Sequence, residues 1–201
     1  MSKGFFPIII VTSVMGFLFP LVCAAEEVGV VMDVSGKVDI HRQGKNISVD
    51  FGMNIQDGDV FTAESGSSVT VVTYVDCREW IVNGPQRASI SGATLVAITG
   101  QGIESQRQLP VCYSPSDSKS GKSDLIGGLV LRGAPKDPVK ELREEFVTGK
   151  ASNATLMTLI MNDLKTGKKD TAKVYYEELH KRAPRSQFVM KLAEEFRGDI
   201  K

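Results

Sequence analysis

The sequence predicts an α+β protein in two parts, an N-terminal all-β domain of short antiparallel strands followed by a C-terminal region of helical hairpins. Three observations predict it. Apolar residues recur with a period of two between Val28 and Ile98, turn-forming residues punctuate that stretch, and from Pro135 the apolar spacing lengthens to that of a helix. Charge follows the same division. Glu26 to Tyr113 holds 11 acidic against 6 basic residues, and Ala134 to Lys201 holds 11 acidic against 14 basic. A balance of +3 in the second half is too small for nucleic-acid binding, which rests on many phosphate contacts.

The chain opens with Lys3, an uncharged stretch from Phe5 to Val22 and small residues at Ala24 and Ala25. That order, with Pro20 just ahead, is the order of a secretory signal, cleaved near Ala24 or Ala25. An uncleaved anchor is the rival, since the stretch approaches the roughly 20 residues that span a bilayer. Pro7, Gly16 and Pro20 interrupt it, and Cys23 after Val22 does not fit a lipidation signal. The expected location is therefore the periplasm or the exterior, with the membrane met only through the export signal. Removal of residues 1–25 leaves about 176 residues, enough for one domain or two small ones.

In the β part, residues 26–113, the alternating sets are Val28, Val30 and Met32; Val34, Gly36, Val38 and Ile40; Ile47, Val49 and Phe51; Val69, Val71, Thr73 and Val75; Ala88 and Ile90; and Leu95, Ala97 and Ile98. Such alternation predicts strands with one face on a core and the other in water. Turns are expected at Ser35-Gly36, Gln43-Gly44, Asp57-Gly58, Ser65-Gly66, Asn83-Gly84-Pro85 and Ser91-Gly92. A sandwich, a barrel or a coil of strands would each satisfy this pattern. Residues 114–133 begin as a polar linker, and Leu125 to Leu131 reads either as a returning strand or as a strap between the parts.

Residues 134–201 predict helices. The first carries Pro138, Val139, Leu142, Phe146 and Val147 and stops at Gly149. The second, capped by Asn153, carries Ala154, Leu156, Leu159, Ile160 and Leu164. A third turns Ala172, Tyr175, Tyr176 and Leu179 inward and closes at Ala183-Pro184, and a fourth carries Phe188, Val189, Leu192, Ala193 and Phe196.

Two stretches resemble known families. Val34-Ser-Gly-Lys-Val-Asp-Ile40, Phe51-Gly52, Ile55, Asp57-Gly58-Asp59-Val60-Phe61-Thr62, Ser67, Val69, Val71 and Asp76 together resemble the FecR domain over residues 28–98. The resemblance implies a periplasmic β-rich module named after an iron-citrate signalling regulator. Cys77 stands where that family usually has glycine after the Asp. Only Met1 to Gly4 precede the apolar stretch, so the sigma-factor role of the regulator's cytoplasmic part is not expected here. Ala172, Tyr176, Leu179 and Pro184 fall at the spacing of a tetratricopeptide repeat, with Leu156 and Leu159 fitting its first helix. Such a repeat needs neighbours to bury its face, and helices 135–148 and 185–197 are the candidates.

Beyond the leader the cysteines are Cys77 and Cys112. They are either a disulfide, closing a loop of about 35 residues and stabilising by roughly 3 to 4 kcal/mol, or two buried thiols. His41 and His180 have no companion at metal-ligand spacing, Gly100-Gln101-Gly102 lacks a following helix, and no nucleophile motif is present. Asp57, Asp59 and Glu64 lack the spacing of a calcium loop and read as turn residues that bond local amides. The expectation is therefore a non-catalytic envelope protein with neither cofactor nor metal, an interaction or signalling adaptor with an envelope protein partner. Trp80, Tyr74 and Tyr175 are the candidate contact residues, although core filling is the better reading of Trp80. The alternative is a module for peptidoglycan or another glycan, with Trp80 or Tyr74 stacking on sugar.

Overall fold

The computed structural model describes residues 26–92, 94–100, 103–114, 128–131 and 139–197. Residues 1–25, expected to form an export signal, and most of the expected polar linker lie outside these residues. In chain order the strands are β1 (Glu27–Ser35), β2 (Val38–Arg42), β3 (Lys45–Ser48), β4 (Asn54–Gln56), β5 (Val60–Ala63) and β6 (Ser68–Thr73). They continue as β7 (Arg78–Asn83), β8 (Gln86–Ser91), β9 (Thr94–Thr99), β10 (Glu104–Gln108), β11 (Val111–Ser114) and β12 (Gly128–Leu131). The helices are α1 (Lys140–Val147), α2 (Asn153–Lys165), α3 (Lys169–Arg182) and α4 (Gln187–Arg197).

Two antiparallel five-stranded sheets form a sandwich. The first has the order β10-β7-β6-β1-β4 and the second β3-β2-β5-β8-β9. Val31, Ile55, Val69, Val71 and Val82 of the first sheet meet Val38, Ile40, Phe61, Ala88, Ile90 and Leu95 of the second in one dry core. Each large side chain so buried contributes roughly 1.5 to 3 kcal/mol. The alternation gives the inward sides at Val38 and Ile40, Val69 and Val71, and Ala88 and Ile90, but Val75 of the same series is exposed.

The outer face of the first sheet is not wet, which corrects the expectation of half-buried strands. Val30, Met32, Val72 and Tyr74 point away from the second sheet into another core, shared with Leu142, Leu156, Leu159, Leu179 and Leu192 of the helices. Strand β1 serves both cores. Successive residues point to opposite faces, and the register irregularities between Glu27 and Gly29 and between Val31 and Asp33 shift the parity, so that Val28 and Val34 face the sandwich core while Val30 and Met32 face the helices. The molecule therefore has three layers, and the β and helical parts of the sequence are not separate in packing.

Helix α2 is the centre of the outer layer. Ala154 through Met161 are all buried, as befits a helix enclosed between a sheet and other helices. Ser152, not Asn153, caps it, its Oγ accepting from Thr155 N at 3.1 Å. Strand β12 pairs antiparallel with β11, Cys112 opposite Val130, so the apolar Leu125–Leu131 stretch does contain a strand, in a two-stranded ribbon of its own. Helix α4 seats Phe188 on Gly52, whose φ is +79° and where any Cβ would lie 2.4 Å from the ring's Cγ. No helix among the described residues is long and apolar enough to cross a membrane.

Candidate functional site

Cys77 and Cys112 come together with sulfurs 2.17 Å apart and Cα atoms 5.3 Å apart, both buried. The pair ties the β6–β7 turn to β11, at the seam between sheet and helices. Cys77 has φ +54°, a left-handed conformation that glycine adopts without cost and other residues adopt rarely. In the turn ahead of it, Asp76 Oδ1 accepts from Thr73 Oγ1 at 2.6 Å and from Arg78 N at 3.2 Å.

The aromatic candidates are mostly inside. Tyr74 is buried and its hydroxyl donates to Asn54 Oδ1 at 3.1 Å. Tyr175 is buried edge-on against Phe146, with ring centroids 4.8 Å apart. Neither presents a ring face to solvent. Trp80 is half-buried against the sandwich core, its Nε1 donating to Thr73 Oγ1 at 3.3 Å and the Arg78 guanidinium 5.7 Å from its ring.

The acidic cluster is structural. Asp59 is buried and takes both Nε and Nη2 of Arg42, at 2.8 and 2.6 Å, while its Oδ2 also accepts from Gln56 N. The hydrogen bond to Asp59 raises the Arg42 pKa further above its ordinary value. Asp57 Oδ1 accepts from Gly92 N, and Glu64 pairs with Lys37 at the surface. His41 shares a hydrogen bond with Asn46, and His180 stacks on Tyr176 at 5.8 Å.

Two features remain that face outward. The first is the free edge of the second sheet. β9 pairs with β8 on one side and with no strand among the described residues on the other. Only Leu95 of this strand is buried; Ala97 and Ile98, expected in the core, are exposed, and Val96 is 50% and Ile98 48% exposed. Other sheet edges carry the usual protections against pairing with foreign chains: β4 is short, β3 bears Lys45, and β10 bears Glu104 and Arg107. β9, with the sequence TLVAIT, has none.

The second is a cleft of about 470 Å³ where the first sheet runs out from under α2. It is lined by Met32, Asp33, Thr70, Glu79 and Ile81 of the sheet, by Ser152 and Asn153 at the start of α2, and by Arg182 of α3. Beneath one wall lies Arg107, whose fork joins three elements. Its Nε donates to Glu79 Oε2 at 2.9 Å, Nη1 to Glu145, and Nη2 to Ser152 Oγ at 3.0 Å and Thr155 Oγ1 at 2.8 Å. Burial works against the Arg107 charge, and the hydrogen bonds from both carboxylates outweigh it, leaving its pKa raised. Glu79 is 2% exposed and lines the cleft. No periodicity could have announced this group, since Arg107 is 28 positions from Glu79 and 48 from Thr155.

Comparison with protein-family models, with curated proteins and with solved structures finds no match. The class that the coordinates define is a two-sheet antiparallel sandwich with a helical layer on one outer face.

Proposed function

We propose that this chain is a non-catalytic adaptor of the bacterial envelope, exported by its N-terminal segment and built on a FecR-like module. In this reading the β9 edge accepts an extended segment of an envelope protein as an added strand. The helical layer, with its tetratricopeptide-like spacing in α2 and α3, supplies a second surface. The observation that carries the reading is the exposed, uncharged β9 with Val96 and Ile98 on its surface. Strand addition draws affinity from main-chain hydrogen bonds and specificity from such alternate side chains. The most deeply buried carboxylates, Asp59, Glu79 and Asp163, are each paired with an arginine, which supports a reading without a reactive carboxylate.

The test is affinity capture from envelope extracts with the full chain and with a Val96→Lys/Ile98→Lys variant. Both positions are half exposed, so the variant should keep its melting temperature, while the added charges oppose an incoming strand. A partner held by the wild type and lost by the variant supports the adaptor. Identical captures by both proteins, or none by either, would refute it.

A further inference from the structure

We propose that the cleft between α2 and the first sheet binds a short neutral oligosaccharide. This goes beyond the adaptor reading and is independent of it, because the cleft and the β9 edge lie on different sheets. The volume of about 470 Å³ falls in the range of small-ligand sites, roughly 300 to 1,000 Å³.

The lining has the chemistry of hydroxyl recognition. A sugar hydroxyl both donates and accepts, so its site must offer acceptors and donors side by side. Glu79 is the central acceptor. Its Oε2 is taken by Arg107, and no hydrogen bond to its Oε1 is found among the described residues. A carboxylate so deeply buried, half engaged and lining a cleft, is poised to accept from a ligand hydroxyl. Arg182 also lines the cleft and is the cationic donor there, held in place by Glu178 and by the Ala151 carbonyl. The Thr70 hydroxyl and the Asn153 amide make no hydrogen bond among the described residues and supply both senses. Ile81, half-buried at the cleft, offers apolar surface to the C–H face of a pyranose ring. Charges of both signs meet at the cleft, Asp33 and Glu79 against Arg182, with Arg107 paired to Glu79 and Glu178 to Arg182, and this near-balance fits a neutral ligand better than an ionic one. The sugar site is thus assigned to the helical side of β7, where Glu79 and Ile81 point, and not to the Trp80 side.

The probes are the β-1,4-linked N-acetylglucosamine trimer and maltotriose, titrated into the isotope-labelled full chain with amide shifts as readout. One probe carries acetamido groups as cell-wall glycan does and the other only hydroxyls, so the two arms distinguish the source. Saturable shifts centred on Thr70, Ile81 and Asn153 are expected with at least one probe at millimolar concentration. Asn153→Ala and Thr70→Val should each weaken the apparent Kd by about fivefold, the loss of one hydrogen bond, at unchanged melting temperature. Trp80→Phe and the β9 double variant should bind as the wild type does. Absence of saturable shifts with both sugars, shifts centred on Trp80, or unaltered Kd in both cleft variants would each overturn the assignment.

Discussion

Cys77 combines two properties that rarely meet, a left-handed backbone and a cross-link to Cys112. The bond lowers the entropy of the unfolded chain, by the equivalent of roughly 3 to 4 kcal/mol for a loop of this size. The positive φ works in the opposite sense for any residue with a Cβ. The two effects separate in a pair of variants lacking the bond: Cys77→Gly/Cys112→Ala should be more stable than Cys77→Ala/Cys112→Ala by about 1 kcal/mol in urea unfolding. Equal midpoints would show that the turn relaxes once the bond is gone. Tyr175 carries a different signature. Its burial, and then the nearby Asp163 carboxylate, raise its hydroxyl pKa above the ordinary tyrosine value. The folded state therefore holds this proton more tightly than the unfolded chain. The resulting stability is complete below about pH 10 and is lost as pH climbs through the raised folded value. Tyr175→Phe has no proton to lose, so its urea midpoint should fall less than the wild type's as pH rises above about 10. The inward position of this ring was legible from helical spacing with Ala172 and Leu179; that of Tyr74 was not, because it lies past the end of β6 in a turn.

At the scale of elements, the join between helices and sheet depends on Arg107. Its planar fork reaches one carboxylate on β7, one on α1 and two hydroxyls at the start of α2. Arg107→Gln would leave Glu79 buried without its counter-charge. Losing a fully buried partner costs about 3 to 5 kcal/mol; with Arg107 31% exposed, solvent screening reduces this to about 2 kcal/mol. Lysine should restore little of it, since a single ammonium cannot span four acceptors. Equilibrium unfolding of the two variants checks both statements. The strands themselves were readable because each sandwich strand turns one side inward, as Val69, Val71, Ala88 and Ile90 do. What the period of two concealed was the second burial of β1. The consecutive apolar run Val30-Val31-Met32 was the available signal, since uninterrupted apolar residues mark a strand covered on both faces. Ala97 and Ile98 failed in the reverse direction: their spacing is that of core positions, but among the described residues the sheet ends at β9 and no further layer covers them.

For the molecule as a whole, the helical layer is part of the fold of the β part. A chain ended after Ser114 would expose Val30, Met32, Val72 and Tyr74 together on the outer face of the first sheet. Such a truncated chain should bind a hydrophobic dye strongly and sediment as aggregates, whereas the full chain should do neither. A monomeric, dye-silent fragment with strand-rich circular dichroism would show that the sandwich is self-sufficient. The arrangement also sets an order of events in time. Val30 and Met32 share their core with Val189 and Leu192, which leave the ribosome some 160 positions later. At elongation rates of about 5 to 20 residues per second, the face they form stays bare for on the order of ten to thirty seconds. The helical layer is thus the last part of the molecule that can close, and until it does the first sheet offers an oily surface to whatever it meets.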